Sequence, residues 1–158
     1  MKKILVISLL LIFLINIIVI FLKLNPYISG NSFIEIKSEK VFVTKIIDGD
    51  TIVANGEHIR LLGMDADERG YECYKEAKKR LEELILNKEV ILEKDQTDKD
   101  QYGRMLRYII LDNENINILM VKEGLAVARF YKDRKYEKEI LSAETYSRNQ
   151  EIGCKWSK

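Results

Sequence analysis

Between Val41 and Met64 apolar and polar residues alternate in three short runs, VFVTKII, TIVA and HIRLLGM, broken by Asp-Gly-Asp and by Asn-Gly. A period of two admits strands rather than helix. Asn55-Gly56 between two such runs is a strong hairpin signal, because a type I′ turn needs positive φ at both central residues. The pattern predicts three consecutive antiparallel strands over residues 41–47, 51–54 and 57–64. One face of such a meander is apolar, so later segments must close over it.

Those segments follow. YKEAKKRLEELILN sets Ala77, Leu81, Leu84 and Ile85 on one helical face. EVILEKD and MLRYIILD read as two further strands, separated by the polar loop QTDKDQYGR. NINILMVKEGLA predicts a short helix from about Asn115 that stops at Gly124, and LAVARFY reads as extended. Residues 136–150 form the last predicted helix, ended by Gly153. Five strands with a helix between the third and fourth predict an α+β domain, a small closed or nearly closed β-barrel flanked by helices.

The N-terminus differs from everything after it. Lys2 and Lys3 precede residues 4–22, interrupted only by Ser8 and Asn16, and Lys23 follows. At 1.5 Å per residue such a run approaches a ~30 Å hydrocarbon core. It is longer than the ~7–15 residues of a signal-peptide core and lacks a small-x-small cleavage site. The excess of positive charge before the run favours a cytoplasmic N-terminus. The expected organisation is a signal anchor, a transmembrane helix over residues 1–22, a linker over 23–34 and a folded domain over 35–158 outside the membrane. The alternatives are cleavage near Ser29 or Gly30, which gives a secreted protein, and a domain facing the cytoplasm.

Charge and titratable inventory narrow the chemistry. The chain carries a net +1, and without Lys2, Lys3 and Lys23 it carries 23 basic against 25 acidic residues. Any polyanion binding must come from a local cluster rather than from an overall basic field. His58 is the one histidine, and Cys73 and Cys154 are the only cysteines. That excludes Cys- or His-rich zinc sites and histidine-pair acid–base catalysis. Catalysis, if present, falls to carboxylates and arginines.

Acids gather at Asp48/Asp50 and at Asp65/Asp67/Glu68, with Arg60 between them. Asp50 opens the second strand and Asp65 closes the third, so an antiparallel pair returns both carboxylates to one end. Two carboxylates, a backbone carbonyl and waters suit a hard cation such as calcium. Glu68 is placed to hold a water beside it. The alternative is a set of turn formers in a solvated acidic loop. Arg104, at the end of the DKDQYGR loop, joins Arg60 as a second planar fork for phosphate oxygens. Each arginine has an alternative role as the partner of a neighbouring acid such as Asp67 or Asp100. Asp98, Asp100 and Gly103 begin like an EF-hand loop, but Tyr102 occupies the third ligand position and Ile109 the twelfth, so that motif fails.

IIDGDT, IRLLGMDADE, Glu76-Ala77 opening a helix, DKDQYGR, EGLAVA and the terminal GCKW together resemble the thermonuclease family, in its order and nearly its spacing. The resemblance covers about Val41 to Trp156. It implies an OB-fold barrel with three helices and a calcium-dependent nuclease that cleaves DNA and RNA, single strands by preference, to 3′-phosphates. By position, Asp50, Asp65 and the backbone carbonyl of Ala66 would hold Ca2+, and Glu68 would act as general base. Arg60 and Arg104 would clamp phosphate, and Tyr102 and Tyr131 would line the nucleotide site of a monomer. Two positions depart from the family pattern: Asp67 replaces a proline, adding charge and loosening the loop that aims Glu68, and Arg129 replaces a tyrosine.

A different class remains open, an OB-fold module that binds single-stranded nucleic acid without cutting it. Such a module has no use for Asp50, Asp65 and Glu68, whose charge repels its ligand. An exported chain with Cys73 and Cys154 also invites a disulfide, the alternative being two buried thiols.

Overall fold

The computed structural model describes residues 11–21 and 39–157. The chain divides into two units, Met1–Lys37 and Ser38–Lys158. In the first, residues 11–21 form a helix with exposed side chains. No helix among the described residues is long and apolar enough to cross a membrane. Residues 1–10 and 22, which the expected span also requires, lie outside the described residues, as does the linker over 23–34.

The second unit runs β1 (Glu39–Ile46), β2 (Thr51–Ala54), β3 (Glu57–Leu61), β4 (Met64–Ala66), α1 (Tyr74–Ile85), β5 (Glu89–Glu93), β6 (Met105–Leu111), β7 (Glu114–Asn115), α2 (Ile116–Lys122), β8 (Ala126–Ala128), α3 (Glu137–Asn149) and α4 (Gly153–Trp156). β1 pairs antiparallel with β2 and β5, β2 with β3, and β5 with β6. β3 and β6 then pair in parallel, Ile59 opposite Met105 and Leu61 opposite Arg107. Five strands thus close into an OB-like barrel, and closure removes the unpaired edges that an open sheet would expose.

Alternation along the strands fills the barrel with Val43, Ile52, Ile59, Leu61 and Ile109, all buried. A register shift between Val43 and Lys45 bends β1 and moves its inward set from Val41 and Val43 to Ile46. Helix α1 buries Ala77, Leu81 and Ile85, with Leu84 half-buried beside the core. Helix α2 begins at the Asn115 cap, whose side chain accepts from the Ile118 amide. Within α2, buried Asn117 accepts from the Ile109 amide and donates to the carbonyls of Leu62 and Arg107. A satisfied amide there ties the end of β3 to β6 inside the core.

The third strand ends earlier than its alternation predicts. Pairing stops at Leu61, and the chain turns through Gly63 at φ +75°, a left-handed conformation that glycine adopts without a Cβ penalty. A Cβ on Gly63 would also lie 2.4 Å from Ile140 Cδ1. The chain re-enters as β4, which pairs with β8 rather than with the barrel, Asp65 opposite Val127 and Ala66 opposite Ala126. Asp65 therefore projects from a separate two-stranded ribbon, not from the hairpin end.

Candidate active site

The Asp48-Gly49-Asp50 turn places the buried acid of the site. Asp48 Oδ1 accepts from the Asp50 amide at 3.0 Å, an Asx turn, and brings Asp50 inward. Gly49 leaves the space for this, because a Cβ at that position would sit 2.6 Å from Ala66 Cβ and 2.8 Å from Ala77 Cβ. Asp50 is buried; its Oδ1 accepts from Thr51 Oγ1 at 3.0 Å and its Oδ2 from the Ala66 amide at 2.8 Å. Burial pushes its carboxyl up to about 6, although Arg60 and the Ala66 amide pull the other way.

Strand register positions Arg60. It pairs with Thr51 across β2 and β3, which sets its guanidinium beside the acid one residue earlier. Nη1 lies 2.5 Å from Asp50 Oδ2 and Nη2 lies 2.6 Å from Asp65 Oδ1. The second oxygen of Asp65 accepts from Arg129 Nη1 at 2.6 Å. Two carboxylates thus stand within the span of one guanidinium, close enough to share a single cation.

Arg104 enters from the loop before β6. Its Nε pairs with Asp100 Oδ2 at 2.7 Å, while Nη1 points to Thr51 Oγ1 at 3.4 Å. Asp100 also accepts from the amides of Tyr102 and Arg104. Partial burial pushes the Asp100 carboxyl up, but these hydrogen bonds outweigh it and hold the group below the ordinary carboxylate range. Asp98 pairs with Arg107 at 2.8 Å. The acids of this loop hold arginines rather than a cation, in keeping with the failed EF-hand motif.

Arg60, Asp65, Glu68, Tyr102, Arg104 and Tyr131 line one cleft of about 680 Å³. Tyr102 and Tyr131 are 75% and 71% exposed, and each ring lies 5.5 Å from a guanidinium, those of Arg104 and Arg129 respectively. Glu68 is exposed at the cleft, and its carboxylate makes no hydrogen bond or ion pair among the described residues. Ala66 meets Asp50 through its amide. Among the described residues no group of three or more His, Cys, Asp or Glu side chains stands ready for a metal. The donor set of Asp50 and Asp65 is all oxygen, which fits a hard cation completed by backbone oxygen and water.

Two features of the site lie beyond the reach of the sequence. Arg129 contacts Asp65 across 64 residues, a pairing that only the β4–β8 ribbon creates. Asp67, expected to loosen its loop, is held at both oxygens: Oδ1 accepts from Lys155 Nζ at 2.7 Å and Oδ2 from the Cys73 amide at 3.1 Å. Neither Arg60 nor Arg104 pairs with Asp67; Arg104 does take Asp100 as a partner. Cys73 and Cys154 are joined by a disulfide with Cα atoms 5.3 Å apart.

Comparison with known proteins places the sequence in a family. Residues 58–158 match the family model described as staphylococcal nuclease homologue. The chain is 34% identical to a thermonuclease of Staphylococcus intermedius over 142 residues, 80% of this chain and 84% of that one. It is 37% identical to a thermonuclease of Staphylococcus hyicus over 113 residues, 65% and 67% of the two chains. A micrococcal nuclease of Shigella flexneri is 32% identical over 128 residues, 73% of this chain and 72% of its own. The barrel and the matched span together make this chain a member of the staphylococcal nuclease family.

Proposed function

We propose that this chain, by family a phosphodiesterase of the endonuclease type, is a calcium-dependent hydrolase of DNA and RNA that leaves 3′-phosphates. The observation that carries the reading is the convergence of Asp50, Arg60 and Asp65 beside a cleft that Glu68 and Arg104 also line. Asp50 and Asp65, with the Ala66 carbonyl, would hold calcium, whose charge would polarise a phosphate oxygen when bound.

The chain's own residues do the rest. Arg60 and Arg104 present planar forks to the non-bridging oxygens and meet the negative charge that grows there on attack. Thr51 links Arg104 to Asp50 by hydrogen bonds and so orders both. Glu68 takes the proton of the attacking water, whose oxygen bonds to phosphorus; the P–O5′ bond breaks, the 5′ oxygen leaves as a hydroxyl with a proton from solvent, and the phosphoryl group stays on the 3′ side. Tyr102 and Tyr131 offer exposed rings for stacking, which favours unpaired bases and hence single strands.

A non-catalytic binding module is the second reading. The acids argue against it, since Asp50 is buried at a cost and Asp65 and Glu68 repel a polyanion. We further propose that the domain works as a monomer on the outer side of a membrane, tethered through residues 4–22 or secreted after their removal. The apolar run and a disulfide suited to an oxidising compartment support that site. Replacing Glu68→Gln tests the mechanism: turnover on single-stranded DNA is expected to fall at least ~10²-fold, with calcium binding retained. Near-normal turnover removes Glu68 from the reaction.

A further inference from the structure

Nothing in its own side chain fixes where Glu68 points. It is exposed, and its carboxylate has no partner among the described residues. Its aim is inherited from the backbone of residues 66–73. Upstream, Ala66 is fixed by pairing with Ala126 and by the hydrogen bond its amide donates to Asp50 Oδ2. Downstream, the Glu68 carbonyl accepts from the Tyr71 amide at 3.1 Å, within a run of turns. Between these anchors stands Asp67.

The Asp67 carboxylate bridges two distant parts of the chain. One oxygen takes the Cys73 amide at the entrance to α1, and the other takes Lys155 Nζ in α4. Both side chains are about one-fifth exposed, so the pair is shielded from bulk water more than a surface bridge is. Helix α4 is itself secured, because the Lys155 amide donates to the Gly124 carbonyl at 3.0 Å and Cys154 is bonded to Cys73. Partial burial pushes the Asp67 carboxyl up, yet the bonds from Lys155 and Cys73 leave it below the ordinary range. Lys155 thus ties the loop to the C-terminal helix through the side chain next to Glu68, beside the Cys73–Cys154 bridge at the loop's far end.

We propose that Asp67 and Lys155 are positioning residues that hold the 66–73 loop so that the Glu68 carboxylate faces the cleft. The inference rests on the assignment of Glu68 as the base. Loss of the clamp leaves the loop hinged at the Tyr71 turn and the disulfide, and a carboxylate displaced by about 1 Å loses on the order of 10²-fold in rate. Substrate affinity depends on Arg104 and the tyrosines, none of which touches the pair, so KM should stay put.

The test is steady-state cleavage of single-stranded DNA by the full chain carrying Lys155→Met, Lys155→Arg or Asp67→Asn, each also in a Glu68→Gln background. Lys155→Met and Asp67→Asn are expected to lower kcat at least ~10-fold with KM within about twofold, and Lys155→Arg to recover most of the loss. In the Glu68→Gln background Lys155→Met should change kcat no further. If Glu68→Gln is impaired and Lys155→Met lowers kcat by the same factor with or without Glu68, the positioning role is wrong while the base assignment stands. If Glu68→Gln alone turns over normally, both fall. A Lys155→Met variant with wild-type kcat overturns the positioning role outright.

Discussion

Arg60 stands 2.5 Å from Asp50, Nη1 to Oδ2, in a pair of which little reaches solvent. The same guanidinium holds Asp65, so in this state it neutralises the two acids assigned to the metal. A cation held by Asp50 and Asp65 would supply that neutralising charge and leave the Arg60 fork for phosphate. A lysine in its place keeps the charge and loses the fork. Arg60→Lys is expected to lower kcat at least ~10²-fold with little change in KM, measured by initial rates on an oligonucleotide.

Arg104 is anchored differently. Its Nε belongs to Asp100, and its Nη1 faces Thr51 and the cleft. Arg104→Lys should therefore damage kcat and KM together. An effect on KM alone would reduce Arg104 to a ground-state grip.

The raised titration of Asp50 has a sign that can be checked. Its folded value is near 6 against 3.8 when unfolded, so the folded chain takes up a proton that the unfolded chain does not. The resulting contribution to stability is full below 3.8 and is lost as pH rises through 6. In calcium-free buffer, wild type should therefore lose stability relative to Asp50→Asn as pH rises from 4 to 7. Denaturant midpoints for the two proteins across that range read the effect, and parallel pH curves would contradict it.

Gly49 is tested by one methyl group. Its Cβ would meet Ala66 and Ala77 inside 3 Å, so Gly49→Ala must push the metal-site turn away from α1. Overpacking of this kind costs about 1–3 kcal/mol, read as a lower denaturation midpoint, and weaker calcium binding should accompany it.

The Cys73–Cys154 bridge closes a sequence separation of 81 residues. Replacing both cysteines by serine should cost about 2–4 kcal/mol in urea denaturation. Unchanged stability would mean that the unfolded chain gains little freedom without the bond.

Much of the fold is legible because it is local. The period-two runs fix β1 to β3, the Ala77–Ile85 stripe fixes α1, and Asn115 marks the start of α2. The break at Gly63 escapes notice because Leu62, Gly63 and Met64 continue an apolar strand pattern, and only the partner β8 reveals the change of direction. The site divides in the same way. Asp50, Arg60, Asp65 and Glu68 lie within one motif and are read together. The Asp65–Arg129 and Asp67–Lys155 contacts span 64 and 88 residues, and side-chain pairs at such distances leave no periodicity to read. For Asp67 the expectation of a loosened loop is drawn without the hydrogen bonds from Lys155 and the Cys73 amide, which only the fold brings to it.

We propose calcium-dependent cleavage at the Asp50–Asp65–Glu68 site. Its most direct test is incubation of the purified protein with end-labelled single-stranded DNA, in calcium and in excess chelator, with the ends of the products analysed. Progressive fragmentation to 3′-phosphate ends in calcium, and none in chelator, is the predicted result. DNA that is bound and shifted but left intact under both conditions would contradict it.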